Sequence, residues 1–384
     1  MWLSNMNLSW FKNKSVKRVL LVHPYGIGDA LFITPLIRTL KENGVNQIDL
    51  LLGNRTREVF EANPNIHQIF EWRKLRPTNF KDKIKYLFSL AQLYFQVWKN
   101  HYPIMFDCSP TAKFAFPSLA YFWIPLRIGF NFKGKGFFLT HKINLPRGFS
   151  GRSMVEYYLD LVRFLDYKPS DRKTEFFLKE GDDHSAEILF QKLNINLEQP
   201  IVAVAPGGGE SWGKDARLKR WPVQNFALLI QKIFGHRGIF GTILVLGSKN
   251  ERPLGDELIK HFDGTAIFNL CGDVSICASA SLLRRSLFLI ANDSGLVHLA
   301  NALEVPVVAI FGPVDPQVYG PYPNDEKAIA IVNEGPVCRP CYQRFRYQEM
   351  CIGLECLNQL TPEKVYQQIK ASRFLDAVKS AVLK

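Results

Sequence analysis

The sequence predicts an α/β protein made of two Rossmann-like domains, each with a parallel β-sheet. The chain has 384 residues, more than a single hydrophobic core usually supports. Its second half alternates short apolar runs with helical segments, and its first half opens with a strand, a glycine turn and a helix. Because parallel strands need crossover connections, this alternation indicates parallel sheets covered by helices on both faces.

The composition is that of a folded globular protein. With 47% hydrophobic and 22% charged residues, the chain resembles neither disordered nor membrane-spanning sequences. No segment reaches the roughly 18 uninterrupted apolar residues that a bilayer span needs, and the opening MWLSNMNLSWFKNKSVKR lacks the apolar core of a signal peptide. We therefore expect a cytoplasmic protein.

The charge balance bears on the kind of partner. An excess of 48 basic over 35 acidic residues gives a net charge of +13, which favours phosphate-bearing ligands, nucleic acid or an anionic membrane surface. The sequence has neither an aromatic RNA-binding strand nor a zinc-finger spacing of Cys and His, so we expect no nucleic-acid partner. A basic surface that serves only solubility remains an alternative.

Residues 1–170 predict an irregular N-terminal α/β domain. The strand RVLLV (18–22) leads through HPYGIGD into a helix, which Pro35 either kinks or begins after a Thr34 cap. Further strands are predicted at 47–52, 66–70 and 103–108, and the segment IKYLFSLAQLYFQVWKN predicts an aromatic helix.

Residues 201–360 predict a more regular second domain. Its strands are IVAVA, TILVLG, AIFNLCG, LFLIAND and PVVAIFG, each followed by a glycine turn or a helical segment. The charged, proline-containing segment 171–200 is predicted as the boundary region. Residues 361–384 predict a closing amphipathic helix, with Thr361 and Pro362 in cap and first-turn positions.

Polar residues collect where these strands end, and ligands bind at that edge of open parallel sheets. The first turn, PYGIGDA, has Gly26 and Gly28 but lacks the full GxGxxG pattern, which argues against a nicotinamide cofactor. The two glycines are explained either by a tight turn or by close approach of a ligand. Asp29 is either a helix cap or a functional carboxylate.

The loop APGGGESWGKDARLKRWP is the second candidate. Gly207 and Gly208 leave backbone N–H groups open to an anion, and Lys219 adds positive charge nearby. The sequence therefore predicts phosphate binding, with a solvated basic loop anchored by Trp221 as the alternative.

The segment IANDSGLVHLANALEVPVVAIFGPVDP is the most informative. An apolar strand ends at Asp293, and a helix is predicted to start at Ser294. Ser294 and Gly295 offer a hydroxyl and unpaired N–H donors to phosphate oxygens, and His298 lies one turn further on the same face.

These motifs together resemble glycosyltransferase family 9, the ADP-heptose:lipopolysaccharide heptosyltransferases. The resemblance spans nearly the whole chain and rests on RVLLVHPYGIGDALFITPLIRTLKE, RIGFNFKGKGF, VAVAPGG with KRWPVQNFALL, LGSKNE, NLCGDVSICASASLLRRS and NDSGLVHLANALEVPVVAIFGPVDP. The last of these segments is the most specific and the glycine turn the least.

The resemblance implies a GT-B fold, with two Rossmann-like domains whose sheets face each other across a cleft. It implies an ADP-sugar donor bound by the C-terminal domain, an anionic glycolipid acceptor bound by the N-terminal domain, and inverting single displacement without a metal cofactor. Asp29 then corresponds to the general base and Lys219 to the lysine that meets the diphosphate. Donor binding is assigned to Gly207, Gly208, Glu251, Asp293, Ser294, Gly295 and His298. We expect Asp29→Asn and Lys219→Ala to lower turnover and leave the fold intact.

Two further segments bear on partners. RIGFNFKGKGFFLTHK combines aromatic and basic residues, among them Arg127 and Lys133, and predicts contact with an anionic glycolipid and the inner membrane surface. Gly26 and Gly28 are placed on the same acceptor side. Four cysteines with spacings near those of structural zinc sites are explained either by zinc or by free thiols. They are Cys338, Cys341, Cys351 and Cys356.

Two other functions stay open from the sequence. The scaffold also suits other sugar-nucleotide enzymes, such as an epimerase or a transferase for another sugar, because function resides in the site and not in the fold. A non-catalytic nucleotide-sugar-binding protein is the second alternative. Which sugar nucleotide binds, and whether it is consumed, distinguishes these two alternatives from a heptosyltransferase.

Overall fold

The chain divides into two compact units. A computed structural model describes residues 16–72, 78–110, 123–234, 241–347, 351 and 353–382. Unit 1 comprises Met1–Arg172 and unit 2 comprises Lys173–Lys384. The division falls inside the predicted boundary region 171–200, and the rest of that region belongs to unit 2.

Unit 1 is built on a parallel sheet of six strands with the order β3-β2-β1-β4-β5-β6. Apolar runs form the central strands, and the register sets Val22 of the first strand beside Asp107 of the fourth. The strands are β1 (Arg18–His23), β2 (Gln47–Gly53), β3 (Gln68–Trp72), β4 (Ile104–Asp107), β5 (Leu126–Asn131) and β6 (His141–Asn144). The strand predicted at 66–70 thus begins two residues later.

The helices of unit 1 follow local capping signals. The helix predicted after the glycine turn is two helices, because the chain breaks at Ile33 and the second helix begins at Thr34, with Pro35 in its first turn. Asn79 caps the long aromatic helix by accepting a hydrogen bond from the Asp82 N–H. The helices are α1 (Ile27–Phe32), α2 (Thr34–Glu42), α3 (Arg57–Phe60), α4 (Phe80–Trp98) and α5 (Met154–Arg163).

Unit 2 repeats the same topology. Its six parallel strands run in the order β12-β11-β10-β7-β8-β9, so the first strand again lies at the centre, beside the fourth. They are β7 (Ile201–Ala205), β8 (Thr242–Val245), β9 (Ala266–Asn269), β10 (Phe288–Asn292), β11 (Val307–Phe311) and β12 (Ala328–Val332). The two parallel sheets confirm the predicted α/β fold class.

Helices cover this second sheet, and a small antiparallel hairpin of β13 (Tyr342–Gln343) and β14 (Arg346–Tyr347) follows it. A 3₁₀ run at Glu210–Lys219 stands where the sequence predicted a loop. The helices are α6 (Asp182–Lys192), α7 (Val223–Phe234), α8 (Arg252–Ile259), α9 (Ile276–Arg284), α10 (Gly295–Ala302), α11 (Pro316–Tyr319), α12 (Glu355–Asn358), α13 (Pro362–Ala371) and α14 (Phe374–Val382).

The C-terminal segment packs into the core of unit 2. The predicted single closing helix is two, α13 and α14, with Thr361 capping the first by accepting from the Lys364 N–H. Phe374 and Val378 are buried in the same cluster as Trp221 and Phe288. Across the described residues, no helix is both long and apolar enough to span a membrane.

Candidate functional site

Each sheet has one point at which the strand order reverses, and most of the predicted site residues lie there. In unit 1 this point is between β1 and β4, and in unit 2 it is between β7 and β10. Loops diverge at such a point and leave a crevice at the carboxyl ends of the strands. Gly26, Gly28 and Asp29 follow β1; Gly207 and Gly208 follow β7; Asp293 and Ser294 follow β10.

A buried ion pair joins two of these residues in unit 2. Lys219 Nζ lies 2.8 Å from Asp293 Oδ2, and the two side chains are 3% and 6% exposed. Burial raises the pKa of Asp293, and the lysine charge opposes that rise. The Asp293 N–H donates to Ile310 O on the adjacent strand (3.0 Å) and so fixes the carboxylate at the end of β10.

The N-terminus of α10 is open to an anion. Ser294 stands in the cap position, but its side chain makes no capping hydrogen bond. Its Oγ is buried and has no partner among the residues that the structure describes. The first N–H groups of a helix also lack intrahelical acceptors and carry partial positive charge. A phosphate oxygen would satisfy these donors and the Ser294 hydroxyl together.

His298 lies one turn into α10 and is kept neutral. Burial and the neighbouring Lys219 charge lower its pKa to about 3. A neutral imidazole beside a lysine adds no second positive charge, so the cation at this site is Lys219.

Asn292 connects the loops of the site through its side-chain amide. Its Nδ2 donates to Pro206 O (2.8 Å), and its Oδ1 accepts from the Trp221 N–H (3.1 Å). The Trp221 indole in turn donates to Leu360 O (2.6 Å). These bonds hold the end of the Glu210–Lys219 run, and with it Lys219, beside Asp293.

Glu251 and the glycine loop fit each other closely. Glu251 Oε1 accepts from the Gly209 N–H (3.1 Å), and its Oε2 accepts from the Ser248 N–H (2.9 Å). A Cβ at Gly207 would overlap Glu251 Oε1, and one at Gly208 would overlap Ala216 O. The structure thus gives Glu251 a role in positioning the loop, while its predicted role in donor binding remains a prediction.

Asp29 lies in the first turn of α1, directly after the end of β1. Gly26 precedes the helix with extended backbone, and its carbonyl accepts from the Ala30 N–H (2.9 Å). Asp29 is half-buried, so it contacts both solvent and protein. This position is compatible with the predicted base.

Two buried polar residues at the same edge of unit 1 were missed from the sequence. Asp107 ends β4, and its Oδ1 accepts from the Ser109 N–H (2.9 Å) and Oγ–H (2.6 Å). Burial raises its pKa to about 7, and the Ser109 bonds oppose the rise. His23 ends β1, and burial lowers its pKa to about 3. The sequence feature that could have identified them is a polar residue at the end of each apolar strand, His23 in RVLLVH and Asp107 in IMFD.

The predicted acceptor residues Arg127 and Lys133 have different surroundings. Arg127 is buried, and its guanidinium donates to the carbonyls of Phe138 (2.6 Å), Pro125 (3.3 Å) and Ile124. These bonds stabilise the β5 region internally, and the contact of Arg127 with an anionic acceptor stays a prediction. Lys133 is exposed, with its Nζ 5.2 Å from the centre of the Phe132 ring.

The β13–β14 hairpin brings an unpredicted tyrosine to unit 2's site. Burial raises the pKa of Tyr347, and the charge of Asp293 raises it further, which places this phenol near the Lys219–Asp293 pair. The hairpin is tied to the end of β11 by the bond from the Tyr342 N–H to Pro313 O (3.1 Å). No sequence motif linked this hairpin to the strand ends.

The four predicted zinc ligands flank this hairpin. Burial raises the pKa of Cys341 and Cys356, and the ionised neighbouring thiols of the same cluster raise it further. In the part of the chain that the structure describes, no three His, Cys, Asp or Glu side chains form a group that could hold a metal ion. Zinc binding therefore stays a prediction.

Comparison with known proteins agrees with this geometry. The family model for glycosyltransferase family 9 (heptosyltransferase) matches residues 96–349. Lipooligosaccharide heptosyltransferase 2 of Haemophilus ducreyi is 25% identical over 374 residues, which cover 92% of this chain and 98% of that protein. The protein of the same name from Campylobacter jejuni serotype O:6 is 26% identical over 357 residues, covering 90% and 96%. The structure of Escherichia coli ADP-heptose lps heptosyltransferase II superposes with a TM-score of 0.70 at 21% identity, covering 94% and 99%.

Proposed function

The chain belongs to glycosyltransferase family 9, and from this premise we propose that it transfers a heptose from an ADP-heptose donor to a lipopolysaccharide-core acceptor. The near full-length similarity to two lipooligosaccharide heptosyltransferases supports the sugar and the acceptor class. The name of the Escherichia coli enzyme, which shares the fold, suggests the ADP-linked donor.

The donor diphosphate is assigned to the N-terminus of α10 in unit 2. The observation that carries this assignment is the buried Ser294 hydroxyl next to the Lys219–Asp293 pair at the β7–β10 reversal, for which the described residues offer no hydrogen-bond partner. Asp293 holds the ammonium in place before the donor arrives, and the diphosphate then shares it. Gly295 and the glycine loop at Gly207 and Gly208 are proposed to present backbone N–H groups to the diphosphate.

The reaction we propose is an inverting single displacement. Asp29 takes the proton of the acceptor hydroxyl while that oxygen attacks the anomeric carbon from the face opposite the diphosphate. The bond from the anomeric carbon to the diphosphate oxygen breaks, and ADP leaves with the bonding electrons. Lys219 and the α10 N-terminus stabilise the charge that grows on the departing diphosphate.

A divalent cation has no assigned part in this scheme, because Lys219 and the helix N-terminus already supply positive charge to the diphosphate. For the four-cysteine cluster we propose either a structural zinc site or free thiols, in both cases separate from the chemistry. Metal analysis of protein purified without chelators decides between them: about one zinc per chain, lost in a Cys338→Ser/Cys341→Ser variant, supports the zinc site. Metal-free protein that is stable and active indicates free thiols.

The acceptor is proposed to bind unit 1 and to be presented by the cytoplasmic face of the inner membrane. The exposed Lys133, Lys135 and Lys142 at the β5–β6 edge suit the phosphates of an anionic glycolipid. Gly26 and Gly28 are assigned to the same side because they precede and flank Asp29.

The deciding experiment is a product assay with the purified chain, lipid A-core acceptors and a panel of ADP- and UDP-sugars, with and without EDTA. Transfer from ADP-heptose that survives EDTA supports the proposal. Transfer from another sugar nucleotide would show that the proposed donor is wrong. Epimerisation of the donor without transfer would show that the protein is an epimerase. Tight donor binding without turnover on any acceptor indicates a non-catalytic role.

A further inference from the structure

Helix α4 has an apolar face that the described residues of unit 1 leave exposed. Its residues 80, 84, 87, 88, 95 and 98 have the spacing i, i+4, i+7, i+8, i+15 and i+18, which places them on one side of an α-helix as a single stripe. Phe80, Phe88 and Leu87 are 76%, 73% and 63% exposed. Large apolar side chains this exposed and this contiguous mark an interaction surface. The stripe consists of Phe80, Ile84, Leu87, Phe88, Phe95 and Trp98.

A different face of the same helix attaches it to the domain. Leu93 and Val97 are buried in a cluster with Phe70 and Tyr102. Helical spacing sets these two residues on the side away from Phe80, Phe88 and Phe95. Core packing therefore explains Leu93 and Val97, whereas the stripe takes no part in the core formed by the described residues.

Lysines border the stripe. Lys81, Lys83, Lys85 and Lys99 are all exposed, and Asp82 is the helix's one acidic residue. A helix with an apolar face, lysines beside it and aromatic residues along it is the pattern of segments that lie in the interface of an anionic bilayer. Each lysine near such a surface strengthens binding about fivefold.

We propose that the α4 stripe inserts into the surface of an anionic lipid bilayer and holds unit 1 on the membrane that carries the acceptor. The proposal deepens the proposed function, on which it rests for the lipid-anchored acceptor. A second copy of the chain fits the stripe less well, because a symmetric pairing would bring two sets of lysines together. The bilayer supplies the apolar layer and the opposite charge at once.

The first test is flotation of the full chain with phosphatidylcholine vesicles, with or without phosphatidylglycerol. We expect binding that depends on phosphatidylglycerol. The combined variant Phe80→Ser/Leu87→Ser/Phe88→Ser should bind at least about tenfold more weakly, because three apolar side chains no longer leave water. A Lys81→Gln/Lys85→Gln variant should lose about 25-fold on anionic vesicles, at about fivefold for each lysine.

Two control variants locate the effect. Leu228→Ser removes an apolar side chain, 49% exposed, from α7 in unit 2. Phe137→Ser removes the exposed aromatic residue of the segment first predicted to touch the membrane. Both should bind vesicles within twofold of the parent. Circular dichroism and thermal melting establish that every variant is folded.

Tryptophan quenching by brominated lipids reports which segment inserts. Quenching should fall in Trp98→Phe and persist in Trp2→Phe/Trp10→Phe, which alters the aromatic N-terminal sequence outside the described residues. The opposite pattern overturns the proposal in favour of that N-terminal segment. A dimer in solution that the stripe variant converts to a monomer, with no vesicle binding by the parent, assigns the stripe to a second copy and also overturns it.

Turnover separates this proposal from the proposed function. The stripe variant should lose rate on an acceptor embedded in vesicles and keep the parent rate on a delipidated core oligosaccharide. Flotation needs no turnover, so absence of transfer on both acceptors defeats the proposed function and leaves the membrane result standing. Unchanged flotation of the stripe variant defeats the membrane proposal alone.

Discussion

Removal of Lys219 should cost both stability and turnover, because its partner is buried. With the charges 2.8 Å apart, the Coulomb attraction is about 6 kcal/mol at an effective dielectric constant of about 20. Much of that offsets the desolvation of the two ions. Deletion of one partner of such a pair typically costs about 3 to 5 kcal/mol. We expect Lys219→Met to lose about 3 kcal/mol at pH 8, so a structurally neutral Lys219→Ala is no longer expected.

The pH dependence of this loss follows from Asp293. Its folded pKa is raised by burial, so its contribution to stability is present below the unfolded value near 4 and is lost as pH rises through the folded value. Without Lys219 the pKa rises further. The deficit of Lys219→Met should therefore shrink as the pH is lowered, because the carboxyl left without its lysine takes up a proton at a higher pH than the paired one.

Urea unfolding of the parent, Lys219→Met, Asp293→Asn and the double variant at pH 5 and pH 8 tests this reasoning. Lys219→Met/Asp293→Asn should regain most of the lost stability, because no lone charge remains buried, yet stay inactive, because the cation that meets the diphosphate is gone. A loss below about 1 kcal/mol at pH 8, or no recovery in the double variant, would refute the coupling.

Three other outcomes can be checked on the same protein. Asp29→Asn should lower kcat by about 10² to 10⁴-fold with little change in melting temperature, as expected for loss of a general base; near-normal turnover removes that role. Gly207→Ala should weaken donor binding, measured by calorimetry, at least about tenfold, because the new methyl overlaps Glu251 Oε1 and shifts the loop. Unchanged affinity would show that the loop adapts to the methyl without affecting the donor. The folded pKa of Asp107 is raised to about 7, whereas its carboxyl ionises near pH 4 in the unfolded chain, so the protein should lose up to about 4 kcal/mol of stability as the pH rises from 4 to 7. Asp107→Asn should flatten that decline. An unaltered pH profile of urea unfolding would contradict the assignment.

The fold was predictable because its signals are local. Continuous apolar runs such as IVAVA and LFLIAND indicate buried parallel strands, and Thr361 with Pro362 marks a helix start. Boundaries were less predictable: Pro35 is compatible with one kinked helix or with two, and only the packing of the chain decides between them.

The site was predictable where motif and strand end coincide and not where it depends on distant contacts. Ser294 and Asp293 follow a strand directly, so their position could be inferred. The hydrogen-bond partners of Asn292 lie 71 and 86 residues away in the sequence, so no local pattern predicts them. The burial of Arg127 is likewise not visible in the sequence, because its Nε donates to the Phe138 carbonyl, 11 residues away.

The repeated topology of the two sheets has a consequence for how specificity changes over time. Every strand of the first sheet precedes Arg172, and every strand of the second follows Lys173. A crossover between related genes at that junction would leave both sheets whole. With the donor bound by unit 2 and the acceptor by unit 1, as we propose, donor choice and acceptor choice would be separately inheritable, and new sugar linkages could arise by shuffling halves as well as by altering single residues.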